Sequence, residues 1–320
     1  MTRPDPIYLT EGDVVATFPM REALIRIEDA ARALAEGRAQ NRPRQRAYLG
    51  TSIIQVLVGV YGGRMGHKTY TVARPRGARF LVSLFADDGT LLAIMEADAL
   101  GQIRTGAASG IATRALARED AHTLAIIGTG WQARSQVEAV VRVRPIQRVL
   151  VAGRDAARRA AFCEEMRERL DLPIEPAASA REAVAAADVV CTMTSANEPV
   201  LEGAWLRPGT HVNAAGSNRA NAQEIDVDAV RRSGIVAVDD VAQAHVEAGD
   251  LLAAERAGWS WDGVTLLSDI VAGLAPGRTD DGQVTLFESL GIGLWDVAAA
   301  GYVFDACVAQ GRGTPLPIPA

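Results

Sequence analysis

A chain of 320 residues has room for two ordinary domains, and its 48% hydrophobic and 5% aromatic content suits an α/β protein packed on Ala, Val and Leu. A net charge of −6 argues against a nucleic-acid binder, which would carry a basic excess. Three widely spaced cysteines, Cys163, Cys191 and Cys307, fit reduced thiols and not a disulfide framework.

Residues 21–39 read as an amphipathic helix, with Ala23, Leu24, Ile27, Ala30, Ala31 and Leu34 at helical spacing. Strand-like runs follow at 44–49, 52–60, 68–72, 79–86 and 91–96, the last two joined by a turn at Asp87-Asp88-Gly89. These strands predict a mixed sheet, and Lys68 is expected to follow a glycine turn and open its strand. In an extended strand Arg42, Arg44 and Arg46 share one face, because side chains alternate with period two. Two readings are open: a cationic pocket wall suited to a substrate with a second carboxylate, or an exposed basic edge that discourages strand pairing. Residues 98–117 predict an alanine-rich helix carrying Arg104-Thr105-Gly106-Ala107-Ala108.

The apolar run 123–127 then stops at Gly128, and the pattern Gly128-Thr129-Gly130-Trp131-Gln132-Ala133 leads into a helix-like segment, 134–143. Each small residue has a physical task. Gly128 permits a tight strand-to-helix turn, Gly130 leaves room for a pyrophosphate, and Ala133 lets the helix pack close to the strand. The helix N-terminus offers free N–H groups to the phosphates. From here strands and helices alternate: strand 148–152, helix 155–170, helix 179–187, then strands 188–193, 211–215 and 235–239, with a final helix at 286–310. This βαβ rhythm predicts a doubly wound parallel sheet of Rossmann type, joined to an α+β domain built largely from the N-terminal part. The expected domains are 1–118 with 296–320, for substrate binding and dimerisation, and 119–295, for the dinucleotide.

The start of the chain has no apolar core of a signal peptide, and no run of about 18 apolar residues appears; a cytoplasmic protein outside the membrane is the expectation. His67, His122, His211 and His245 have no ligand spacing, so no metal site is expected.

The end of the second Rossmann strand sets cofactor choice. An acidic residue there would bond the ribose 2′-OH of NAD. Gly153 occupies that neighbourhood and Arg154, suited to a 2′-phosphate, follows, which tilts the reading towards NADP while leaving NAD open. Asp155 either caps the next helix or turns inward to the ribose.

Several segments taken in order resemble the ornithine cyclodeaminase/μ-crystallin family: Arg42-Pro43-Arg44, Gly66-His67-Lys68, Ile103 to Ser109, the glycine motif, Ala215-Gly216-Ser217-Asn218, and Leu286 to Ile292. The resemblance implies a homodimer that acts on a small imino or amino acid with a nicotinamide cofactor. It places Arg44, Lys68 and Arg104 on the substrate, with Gln55 and Ser83 beside them. Lys68, Arg104 and Asn218 are the expected catalytic groups. The glycine motif, Arg154, Asn218 and Ser289 are expected to hold the cofactor. An Arg fork suits a carboxylate bidentately, and a partly buried Lys can deliver a proton. Two departures narrow the chemistry. Gln55 and Asn218 stand where cyclodeaminases of the family carry carboxylates, which weakens ammonia-expelling cyclisation. The expected activity is therefore reduction of an α-imino acid, including a dicarboxylic imine such as iminosuccinate. The rivals are a cyclodeaminase-type lyase and a non-catalytic NADP-dependent ligand binder of the μ-crystallin type.

Overall fold

The computed structural model describes residues 5–73 and 77–318. Two compact units divide the chain: residues 1–105 with 292–320, and residues 106–291.

The first unit opens with β1 (Ile7–Leu9), α1 (Glu11–Thr17) and α2 (Met20–Ala35), then runs through β2 (Gln40–Leu49), β3 (Ser52–Tyr61), β4 (Arg64–Ala73), β5 (Gly77–Ala86), β6 (Leu91–Glu96) and α3 (Asp98–Leu116), inside which the division falls. The second contains β7 (Thr123–Ile127), α4 (Ala133–Val143), β8 (Arg148–Ala152), α5 (Ala156–Leu170), β9 (Ile174–Pro176), α6 (Ala180–Ala186), β10 (Val189–Thr192), β11 (His211–Ala214), α7 (Val227–Arg232), β12 (Ser233–Val238), α8 (Val241–Glu247), α9 (Gly249–Arg256), β13 (Val264–Leu266), α10 (Leu267–Val271) and β14 (Val284–Glu288). The chain then returns to the first unit as α11 (Gly293–Ala309) and β15 (Thr314–Pro315).

The first unit is a seven-stranded sheet in the order β15-β1-β6-β5-β4-β3-β2, antiparallel except for the β1–β6 pair. Its covered face is built by alternation: Leu57, Val82, Leu84, Ala93 and Met95 are buried, and α11 packs against strands β2 to β6 and against α2. Helix α11 is apolar nearly all round, as a buried helix must be. Its entry lies close on β3: a Cβ added at Gly293 would fall 2.6 Å from Val58 N, and one at Gly59 would fall 2.7 Å from Leu294 N.

The second unit is an eight-stranded parallel sheet, β13-β12-β14-β11-β10-β7-β8-β9, with β7 at the point where the strand order reverses. Alternate residues of one strand feed two cores: Leu124 and Ile126 of β7 enter one, Ala125 and Ile127 the other. Burial on both faces is the mark of a doubly wound sheet. The chain thus has the expected α/β class: a Rossmann-type parallel sheet plus an α+β unit.

Several local expectations are corrected. Residues 286–310 are not one helix. Val284–Glu288 is a fully buried strand between β11 and β12, and the helix starts only at Gly293; an unbroken apolar run lacks the alternation that distinguishes strand from helix. Helix α2 ends at Ala35, four residues early, and β2 begins at Gln40. That strand contains Pro43 and is an edge strand, where a missing N–H is tolerated. Lys68 does not open its strand: the β3–β4 hairpin turns at Gly62-Gly63, both at positive φ (61° and 72°), as a two-residue type I′ turn requires, so Lys68 is mid-strand. The three arginines do not share a face. The β2–β3 register shifts between Arg42 and Gln45, so Arg42 pairs with Val58 on the outer face while Arg46 pairs with Gln55 on the covered one.

Candidate active site

Four polar side chains of the first unit's covered face are buried where apolar ones are expected: Arg44, Gln55, Lys68 and Tyr70, joined by Arg104 from α3 and Asp296 from α11. Strand alternation explains the first four. Lys68 and Tyr70 are two apart on β4, and Gln55 pairs directly with Tyr70. Asp296 lies one turn into α11, whose close approach at Gly59 and Gly293 brings it within reach of β4.

Two chains of contact result. Lys68 Nζ donates to Asp296 Oδ1 at 2.8 Å, and Arg104 Nε donates to the same oxygen at 2.9 Å. Asp296 is completely buried, and its Oδ2 has no hydrogen-bond partner among the described residues. In the second chain Arg44 Nη1 donates to Tyr70 Oη at 2.5 Å, Tyr70 Oη donates to Gln55 Oε1 at 2.9 Å, and Arg46 Nε donates to that same oxygen at 3.1 Å. Lys68 Nζ also sits 5.8 Å from the centre of the Tyr70 ring.

The electrostatics single out Lys68. Burial, then the neighbouring Arg104 guanidinium, push its ammonium down from the usual lysine range to about 7, against the opposing pull of Asp296; Arg44 lowers it further. Lys68 is the only lysine among the 33 basic Lys and Arg residues of the chain. An arginine cannot release its proton in a protein, whereas a buried lysine can. Among the Lys and Arg residues, the one able to exchange a proton near neutral pH is thus the one held in this cluster.

In the second unit the glycine motif follows β7. Gly128 has φ 115°, and a Cβ there would fall 2.3 Å from Met193 O at the end of β10. A Cβ at Gly130 would meet nothing within 4 Å. The loop thus has one glycine fixed by backbone crowding and one facing open space, and Gln132 Oε1 is buried without a hydrogen-bond partner among the described residues. An open glycine position and an orphaned acceptor before α4 fit a nucleotide's phosphates and hydroxyls. Gly153, at the end of β8, lies against Thr129 of this loop, Arg154 is exposed, and Asp155 caps α5 by accepting from Arg158 N at 3.0 Å. The capping alternative for Asp155 is the one observed. Trp131 is exposed, Asn218 lies half-buried in the loop after β11, and Ser289 is buried after β14 with its hydroxyl towards Asp239 Oδ2.

Of the expected substrate residues, Arg44, Gln55, Lys68 and Arg104 converge. Ser83 does not: it pairs with His67 on the opposite face from Lys68. The expected cofactor residues all follow carboxyl ends of parallel strands. Among the described residues no cluster of His, Cys, Asp and Glu could hold a metal, and no helix is long and apolar enough to cross a membrane.

Sequence reasoning missed Asp296, Tyr70 and four buried carboxylates of the second unit. Glu224 accepts from Thr194 N and Gly216 N, both at 2.6 Å, and from Thr192 Oγ1, tying the β10 and β11 exits together. Asp239 accepts from Leu290 N and Gly291 N, and Asp250 from Glu224 N and Ile225 N. Burial raises Glu224, lifts Asp250 to about 7, and holds Glu288 well above the usual carboxylate range beside Asp250. Besides the family resemblance, the uniqueness of Lys68 is a signal for the site that the sequence carries on its own.

Comparison with known proteins shows which family the whole chain resembles. A Δ1-pyrroline-2-carboxylate reductase of Bacillus cereus is 39% identical over 227 residues, 70% of this chain and 70% of its own. The structure of Thermococcus litoralis Δ1-pyrroline-2-carboxylate reductase in complex with NADH and L-proline superposes with a TM-score of 0.93 at 31% identity, covering 97% of this chain and all of the other. The iminosuccinate reductase of Paracoccus denitrificans in complex with NAD+ superposes with a TM-score of 0.90 at 28% identity, covering 98% of this chain and all of the other. The sequence model of the ornithine cyclodeaminase/mu-crystallin family matches residues 5–311, and the chain belongs to that family.

Proposed function

We propose that the chain is an NAD(P)H-dependent reductase of α-imino acids, an oxidoreductase acting on C=N and, in reverse, on CH–NH2. The observation that carries this reading is the sole lysine, buried and poised near neutrality on a carboxylate that it shares with Arg104. Imine reduction needs a proton at nitrogen, a cation for the α-carboxylate and a hydride at carbon. Lys68 supplies the first, while Arg44 and Arg104 supply the second by charge-assisted bonds. When bound, the reduced nicotinamide supplies the hydride to the imine carbon. The relatives act on imines and bind NADH or NAD+, which supports the same class here.

Finer readings follow from particular residues. Gly130, Gln132 and the α4 N-terminus hold the dinucleotide, with Thr129, Trp131 and Asn218 around it. Arg154, exposed after a small residue, favours NADP over NAD, since Asp155 is engaged as a helix cap. Gln55 and Asn218 lack the charge a cyclodeaminase needs to activate a second amine, which disfavours the lyase. Lys68 in a working proton-transfer setting disfavours a passive binder. The outer face of β3 to β5, with Ile54, Val58, Met65 and Leu81 exposed, is covered by a second copy in a homodimer. The three buried free thiols suit a cytoplasmic enzyme.

A dicarboxylic imine is favoured by one observation: Arg46 lies on the same covered face as Arg44 and bonds the same Gln55 that Tyr70 bonds. The second carboxylate would pair with Arg46. Incubating the enzyme with keto acids plus ammonia or methylamine, and with preformed cyclic imines, under NADH and NADPH tests the function. Cofactor oxidation matched by amino-acid formation is expected; no oxidation with any imine would refute it.

A further inference from the structure

We propose that Arg104 and Asp296 form an opposed pair of positioning residues that governs the proton on Lys68 Nζ, with Asp296 retaining it and Arg104 releasing it. The inference rests on the imine-reductase reading for its purpose but not for its measurement.

The geometry sets up a competition. Both cations bond one oxygen, Asp296 Oδ1, at 2.8 and 2.9 Å, from β4 and α3 onto α11. A buried carboxylate with a single lysine would hold the ammonium as a locked ion pair, because removing the proton would leave an uncompensated buried anion. Here Arg104 already neutralises that anion. With Lys68 protonated the trio carries a net charge of +1; after proton loss it is neutral, Arg104 and Asp296 remaining as a matched pair. Giving a proton to an imine nitrogen therefore strands no charge in the interior. The N–H bond formed at the substrate is balanced by the N–H bond broken at Nζ, and water restores the proton.

The groups facing Lys68 are few. Asp296 comes from α11, Arg104 from α3 and Arg44 from β2; Tyr70 is on its own strand, while its partners across β3 and β5 are Leu57 and Val82, which carry no charge. Gly101 of α3 borders the ammonium: a Cβ there would lie 3.7 Å from Nζ, an ordinary contact. Among the described residues, burial and the two arginines push the proton off, and Asp296 holds it on.

Because Lys68 is the only lysine, biosynthetic labelling with 13Cε-lysine gives one side-chain resonance that needs no assignment. Its pH titration in the full-length enzyme should show a midpoint near 7. Asp296→Asn should move the midpoint down and Arg104→Gln should move it up, each by about one pH unit or more, the usual effect of one nearby charge. The alkaline limb of kcat/KM for imine reduction should follow in the same two directions. A purely structural role for either residue would not produce shifts of opposite sign. Shifts in the same direction, or none, would overturn the proposal. Should Asp296→Asn fail to fold, the sign of the Arg104→Gln shift decides alone. Opposite NMR shifts without any reductase activity would uphold the proton device and reject the function.

Discussion

The two units bury charge in opposite ways. The first collects cations on its covered face around one carboxylate, Asp296, and leaves Lys68 able to lose its proton near pH 7. The second buries carboxylates, and three of them, Glu224, Asp239 and Asp250, are spent on backbone N–H groups of the loops that leave the sheet. A carboxylate saturated by backbone donors fixes a loop; one shared by two cations, with its other oxygen unpartnered, leaves a proton exchangeable. Buried polar groups are costly in either case unless bonded. The difference lies in whether the bonds end on the chain or are left for chemistry.

The comparison breaks most visibly at the two sites themselves. Gly130→Val fills the open space before α4 without a clash, so the fold should persist while nicotinamide dinucleotide binding is lost; a fluorescence titration showing unchanged affinity would remove the loop from the site. Lys68→Ala should cut the catalytic rate by at least about a hundredfold, the low end for a positioned acid. It leaves Arg104 and Asp296 paired, so circular dichroism and the melting temperature should change little.

Smaller effects sharpen it. Arg46→Gln should weaken the preference for a dicarboxylic over a monocarboxylic imine by about one to two powers of ten, from about 1.5–3 kcal/mol for a charge-assisted bond. Arg42→Gln, on the outer face, should leave the preference unchanged. Paired KM and kcat measurements on iminosuccinate and iminopropionate decide; equal effects at both positions would return these arginines to an ordinary strand edge.

The smallest effect concerns stability. Lys68 is lowered in the folded state, so the unfolded chain binds more protons between about pH 7 and 10, and this group's contribution rises with pH. Asp250 and Glu288 are raised, so the folded state binds more protons and their contribution falls as pH climbs above the ordinary carboxylate range, for Asp250 through about 7. Glu288→Gln should therefore lose less stability than the parent chain between pH 5 and pH 8. Urea denaturation at both values checks the sign.

What the sequence revealed follows from the range of each interaction. The glycine motif is local: a strand, a turn and a helix start within a dozen residues, so its residues could be read directly. The hairpin strands of the first unit were legible by alternation. The bulge in β2 was not, because one extra residue in a strand leaves no local mark, and it alone separates Arg42 from Arg44 and Arg46. Asp296 was hidden in another way. It stands in the apolar run of α11, and its partner Lys68 is 228 positions away. Only the close backbone approach of Gly293 to Val58 brings the two together. Strand β14 reads as helix because both its faces are buried.

Two-electron reduction of an imine carbon leaves a mark that isotope transfer reads. The enzyme is incubated with cofactor carrying deuterium at the transferred C4 position, in NADH and NADPH form, and with the imino acid it turns over fastest. One deuterium per product at the α-carbon, with one cofactor oxidised, is the predicted result. Ornithine converted to proline with only catalytic NAD, and no net oxidation of reduced cofactor with any imine, would contradict it.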